Sequence, residues 1–231
     1  MVKWMANDMR VADIREYFTQ QLAQKQFTKS RDGSLTIEMF GASFIADEPS
    51  IFGTPNQKYI NAELLWYKSE STNINDIEMF YHCVPQAWKY SANAHGEINS
   101  NYGHLIWSKK YHEQYSNALS ELKSNSDSRR ATMVYTRPSI WQEYNENGKS
   151  DFICTNAVTY YIRDSRLYAV VQMRSNDIVY GYNNDYAWQR HVQEMLSTEL
   201  NVKAGKMVWQ VQNLHCYERH FNLIDPGFSH E

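Results

Sequence analysis

SDFICTNAVTYYIRDSRLYAVVQMRSND, residues 150–177, is the stretch whose reading decides the fold. Phe152 to Arg163 and Leu167 to Arg174 are rich in β-branched and aromatic residues. Arg163-Asp164-Ser165-Arg166 lies between them as a polar hairpin turn. Upstream, Ala131 to Thr136 and Leu35 to Ile45 read as strands, the latter entered through the turn residues Asp32-Gly33. Downstream, Met207 to Cys216 reads as a last strand entered at Ala204-Gly205.

Helical spacing surrounds these strands. Val11, Ile14, Phe18 and Leu22 recur with helical period between Met9 and Phe27, with Asp8 as the expected N-cap. Lys58 to Lys68 and His112 to Lys123 predict two further helices, and Ser69 to Tyr111 between them reads as irregular and aromatic. Asn184 to Leu200 carries Ala187, Val192 and Leu196 on one helical face. The expectation is an α+β fold: one domain spanning residues 1–231, with helices against a mixed β-sheet.

The chain is 231 residues long, enough for one substantial core, and 14% aromatic, with 17 Tyr and 7 Trp. Most of these rings are expected in the core, though such rings also build pockets for flat ligands. A net charge of −3 argues against a general nucleic-acid binder but leaves room for a nucleotide, since a few Arg hold a phosphate. Mean hydropathy is −0.66, and no apolar run approaches the roughly 18 residues of a membrane span. MVKWMANDMR lacks the apolar stretch of a signal peptide. Three cysteines (Cys83, Cys154 and Cys216) without C-x-x-C spacing predict a reduced, cytoplasmic protein. A metal site from His82-Cys83 and His215-Cys216 is set aside, because adjacent ligands chelate poorly and no carboxylate cluster joins them.

Cys154 in a strand is by itself most simply a buried small hydrophobe. Three neighbouring motifs add a functional reading: the Arg129-Arg130 pair in NSDSRR, Arg174-Ser175-Asn176-Asp177 at the end of the next strand, and Leu214-His215-Cys216-Tyr217. Single arginines at strand ends are usually solvated, yet the guanidinium fork suits phosphate. Neighbouring cations would also lower a thiol pKa from its free value of about 8.5.

IEMFGASFIADEPSIFG, AELLWYKSES, GEINSNYGHLIW, SDSRRATMVYTRPS, SDFICTNAVTYYIRD, MRSNDIVYGYNNDYAWQ and NLHCYERHF occur in one order along the chain. In these blocks, from about residue 10 to 225, the sequence resembles the thymidylate synthase superfamily and, within it, the deoxycytidylate hydroxymethylases of T-even-type phages. The resemblance implies the following roles. Cys154 is the nucleophile that adds to C6 of the pyrimidine, so that C5 captures a one-carbon unit from 5,10-methylenetetrahydrofolate. Arg174 and Ser175 hold the phosphate of their own subunit, and Arg31 adds to them. Arg129 and Arg130 reach across a homodimer interface built on the sheet to the partner's phosphate. His215 and Tyr217 contact the deoxyribose hydroxyl. Glu63 organises water for proton transfers, with Tyr102 in the same network. Trp88 packs against the folate ring, Asp177 hydrogen-bonds the pterin, and Gly181 permits close approach there. No metal is implied.

Asp185 in GYNNDYAW bears on the base. Uracil-using members of the superfamily carry Asn there, matching N3–H and O4, whereas a carboxyl group can accept from the N4 amino group of cytosine and share a proton with its N3. Asp185 therefore points to dCMP. Three departures from the synthases favour water over hydride as the final nucleophile: Thr155 in place of the His after the thiol, Met173 in place of a Gln, and the ending DPGFSHE without an apolar tail. Three alternatives stand beside 5-hydroxymethyl-dCMP formation: a 5-methyl-dCMP synthase, a dUMP-specific enzyme of the same family, and a non-catalytic nucleotide or RNA binder that kept the fold. The last would have no need of Cys154, Glu63 and Asp177 together.

Overall fold

The computed structural model describes residues 8–30 and 33–228. Six strands, β1 (Thr28–Lys29), β2 (Leu35–Ile45), β3 (Thr132–Val134), β4 (Thr155–Arg163), β5 (Arg166–Asp177) and β6 (Lys203–Tyr217), form a single sheet in the order β1-β2-β6-β5-β4-β3. β5 and β6 run parallel, and every other pair is antiparallel. The sheet is mixed, as expected. The hairpin falls where the sequence puts it: Asp164 and Ser165 both take positive φ, 50° and 55°, the geometry of tight two-residue connections. Parallel pairing of β5 with β6 requires a crossover, supplied by the long helix Tyr180–Glu199.

Eight helices lie along the described chain: α1 (Val11–Ala23), α2 (Gln57–Lys68), α3 (Gln86–Ser91), α4 (Tyr102–Trp107), α5 (Gln114–Ser124), α6 (Ile140–Glu143), α7 (Tyr180–Glu199) and α8 (Phe221–Ile224). The aromatic excess fills the core. Trp66, Trp188, Trp209, Tyr135, Tyr160 and Tyr182 are each fully buried. Tyr67 stacks on Tyr102 with centroids 5.5 Å apart and meets Trp188 edge-on at 5.0 Å. Gly103 lets α4 close on α2, because a Cβ there would collide with the carbonyl of Tyr67.

Several sequence expectations need correction. Arg10, not Asp8, caps α1, and its amide donates to Asp13 at 2.7 Å. The helix ends at Ala23, where Lys25 takes a positive φ of 52°. Ser69 to Tyr111 is not simply irregular: it contains α3, α4 and a 3₁₀ turn at Ile74–Met79, each too short to show a period. β4 begins at Thr155 rather than Phe152, since the carbonyls of Phe152 and Ile153 are taken by the Arg174 side chain. α7 starts four residues early because Asp177 caps it, accepting from the amides of Tyr180 and Gly181 at 2.9 Å each. Ala204-Gly205 lies inside β6, and the turn sits earlier at Asn201, whose φ is 53°. Asp32 falls outside the described residues.

Candidate active site

Cys154 immediately precedes β4, ahead of a register shift between Thr155 and Ala157 that re-aims the strand's side chains. Its sulfur faces a cleft of about 840 Å³, roomy enough for a nucleotide-sized ligand. Arg174, Ser175 and Tyr217 line the same cleft, as do Ser30, Asp151, Phe152 and Arg219. The Arg174 guanidinium lies 3.4 Å from the sulfur, donates to the carbonyls of Phe152 at 2.5 Å and Ile153 at 3.0 Å, and rests over the Phe152 ring. Part of the thiol's surface reaches the cleft, but protein atoms enclose it elsewhere. This desolvation pushes its pKa up to about 11 against the opposing pull of Arg174, with Asp185 and Asp151 adding to the rise. The expected lowering is therefore overturned, because burial outweighs one neighbouring cation.

Two carboxyl groups, Asp185 and Glu63, lie close enough to act on each other. Asp185, on the second turn of α7, accepts from Asn176 Nδ2 at 2.8 Å. The Tyr102 hydroxyl accepts from buried Thr155 at 3.0 Å. Desolvation, reinforced by the charge of Glu63, raises the Asp185 pKa to about 8. Glu63, on α2, is buried, and desolvation lifts its pKa to about 7. Tyr59 donates to Glu63, while the Trp88 indole N–H lies 2.8 Å from the Tyr59 oxygen and 3.2 Å from the Glu63 carboxyl. Trp88 thus stands beside the second acid, edge-on to Trp66.

Asp177 begins by holding its own helix. Besides the two amides at Oδ2, its Oδ1 accepts from Val179 at 3.2 Å. A Cβ on Gly181 would meet Asn176 Nδ2 at 3.1 Å and Asp177 Cβ at 3.4 Å, so the close approach at this glycine is made within the chain itself. His215 pairs with Asp177 across β5 and β6, and its ring meets Tyr217 at 4.8 Å. Burial lowers the His215 pKa. Its Nδ1 lies 3.3 Å from the carbonyl of Asn213, which can only accept, so Nε2 is left as an acceptor.

The chain does not bring every candidate together. Arg129 and Arg130 are exposed, away from the Cys154 cleft, just before edge strand β3, and Arg130 pairs with Glu121 at 3.0 Å. Arg31 lies outside the described residues, although its neighbour Ser30 lines the cleft. Among the described residues, no group of three or more His, Cys, Asp or Glu could hold a metal ion. Sequence reading missed Asn176, Tyr59, Asp151 and Arg219. Asp151 is a buried carboxyl that accepts from the amides of Asn99 at 2.6 Å and Ser100 at 2.8 Å. Asn176 and Asp151 each sit within three residues of a chosen residue, and that proximity was the available signal.

Residues 16–231 match the family described as thymidylate synthase. This chain belongs to the thymidylate synthase family. It is 49% identical over 228 residues to a deoxycytidylate 5-hydroxymethyltransferase of Enterobacteria phage T4, covering 96% of this chain and 92% of that one. The phage T2 protein of the same description is 49% identical over 232 residues, covering 97% and 93%. A thymidylate synthase of Francisella tularensis is 25% identical over 94% of this chain and 85% of its own. The crystal structure of thymidylate synthase from T4 phage superposes with a TM-score of 0.75 at 19% identity, covering 94% of this chain and 80% of that one, and so shares the fold.

Proposed function

We propose that this chain, acting over residues 1–231 as one catalytic domain, transfers a one-carbon unit from 5,10-methylenetetrahydrofolate to C5 of dCMP and adds water to give 5-hydroxymethyl-dCMP. The observation that carries the reading is Asp185, a carboxyl bonded by Asn176 at 2.8 Å, close enough to Cys154 to raise its pKa, and itself pushed up to about 8 by desolvation. A neutral acid there can accept from the N4 amino group and donate to N3, which cytosine offers as an acceptor. Identity of 49% to hydroxymethyltransferases of phages T2 and T4 supports the same substrate.

Cys154 adds to C6 while its proton passes to the water that Glu63 organises; the displaced electron pair moves toward N3, which takes the proton of Asp185. Arg174, 3.4 Å away, stabilises the developing sulfur charge. Addition at C6 makes C5 electron-rich, and the folate supplies carbon at the oxidation level of formaldehyde. Glu63, with a pKa near 7, can take and return protons through water and direct that water to the C5 substituent. Ser175, Arg174 and Arg31 are assigned to the phosphate, and His215 and Tyr217 to the sugar hydroxyl. Trp88 and Gly181 are assigned to the folate, together with any acceptor capacity Asp177 retains beyond its capping bonds. Arg129 and Arg130, facing away from their own cleft, are assigned to the site of a second copy. Relatives from phages and free cysteines support action in a host cytoplasm.

The test is mass spectrometry of the nucleotide product together with an assay for dihydrofolate. The reading expects 5-hydroxymethyl-dCMP and no dihydrofolate. Stoichiometric dihydrofolate with 5-methyl-dCMP would assign reductive methylation instead, and turnover of dUMP in preference to dCMP would remove the cytosine assignment.

A further inference from the structure

Asn176, the penultimate residue of β5, is buried at 3% exposure, and its side chain lies between two partners of opposite demand. On one side the fully buried indole of Trp209 approaches Asn176 Oδ1 at 3.2 Å. On the other, Asn176 Nδ2 stands 2.8 Å from Asp185 Oδ2. An indole N–H can only donate, so the Asn176 oxygen must face Trp209 and its NH2 must face Asp185. The amide cannot flip without losing both bonds inside the core, where an unpaired polar group is costly.

A donor fixed on Oδ2 has a chemical consequence. A neutral carboxyl group carries its proton on one oxygen, and the other, the stronger acceptor, is the one favoured to accept from an N–H. Asn176 therefore biases the acidic proton of Asp185 toward Oδ1. The carboxyl then presents donor and acceptor to a pyrimidine edge preferentially in one order. With Oδ1–H placed toward N3 and Oδ2 toward N4, the order in which Asp185 would meet the base as proposed above, the pattern matches cytosine. Uracil, with N3–H and O4 at the same places, needs the proton on Oδ2. The Trp209–Asn176 arm disfavours that form.

We infer that Asn176, anchored by Trp209, is a specificity-determining positioning residue that favours one protonated form of Asp185 and so makes the site read cytosine against uracil. The inference rests on Asp185 contacting the base, as proposed above. Asn176 itself touches no substrate.

The experiment measures kcat/KM for dCMP and for dUMP in wild type and in three variants, with thermal melts beside them. Asn176→Leu removes the donor and frees the proton to sit on either oxygen; the dCMP-to-dUMP ratio is expected to fall by roughly tenfold. Asn176→Asp places an acceptor opposite Oδ2 and draws the proton there; the ratio is expected to fall further and to turn toward dUMP. Trp209→Phe keeps the ring but releases the amide to rotate, and is expected to lower the ratio less than either. A fold merely loosened by substitution would depress both substrates together. Folded variants that keep the wild-type ratio would overturn that role. If wild type itself shows no preference for dCMP, the assignment of the substrate fails instead.

Discussion

The guanidinium of Arg174 lies 3.4 Å from the sulfur of Cys154, yet two of its donor contacts go to the carbonyls of Phe152 and Ile153. One side chain thus shapes the loop that presents the Cys154 thiol and also biases its charge. Because burial holds the thiol near pKa 11, thiolate at pH 8 to 9 is scarce and depends on Arg174. Arg174→Gln should slow alkylation of Cys154 by iodoacetamide by roughly tenfold at pH 9, one pKa unit of lost stabilisation. Peptide mapping checks this, with exposed Cys83 as the internal reference. Equal rates at Cys154 in variant and wild type would separate the guanidinium from thiol activation.

Asp185→Asn replaces a carboxyl that can donate to N3 with an amide that suits N3–H and O4. Turnover of dCMP should fall by roughly 100-fold and turnover of dUMP should rise. Steady-state kinetics on both nucleotides decide it; an unchanged preference would place base reading elsewhere.

Glu63 and Asp185 also set how stability varies with pH. Their folded pKa values, about 7 and about 8, lie above ordinary values of 4.5 and 3.8. The folded state therefore retains protons that the unfolded chain releases. Their contribution is full below about pH 4 and is lost as pH rises to between 7 and 8. Melting temperature should consequently fall between pH 5 and pH 8. Asp185→Asn should flatten that fall and stabilise the protein at pH 8 by on the order of 2 kcal/mol. Identical pH slopes in the two proteins would contradict a raised Asp185.

Arg129 and Arg130 are surface residues of their own chain and are assigned to a partner's phosphate. The double variant Arg129→Ala/Arg130→Ala and the variant Cys154→Ala should each be inactive as homodimers. Refolded together in equal amounts, they should recover about a quarter of wild-type activity, because half the dimers are hybrids with one complete site each. Recovery of nothing would confine each site to one subunit.

Much of the fold could be read from local sequence. β2, the hairpin at Asp164-Ser165 and the apolar face of α1 each follow from period and turn chemistry. What escaped depended on side chains acting on the backbone at a distance. Arg174 takes the carbonyls that would have extended β4, and Asp177 caps α7 ahead of its first periodic residue. In the site, Cys154, Arg174, Ser175 and Tyr217 meet in one cleft. Asn176 could not be read as a functional group, because its role depends on Trp209, 33 positions away, facing it across the sheet. The direction of the Cys154 shift was equally hidden: neighbouring cations are visible in a sequence, while desolvation is a property of the packed structure.

The most direct measurement is intact-mass and peptide mass spectrometry after incubation with 5-fluoro-dCMP and 5,10-methylenetetrahydrofolate. Fluorine at C5 cannot leave as a proton does, so a reaction that passes through a sulfur–C6 bond stalls there. A covalent complex of nucleotide, folate and protein mapped to Cys154, and absent from Cys154→Ser, is the expected result. Full turnover without any adduct, or an adduct mapped to Cys83 or Cys216, would contradict Cys154 as the nucleophile.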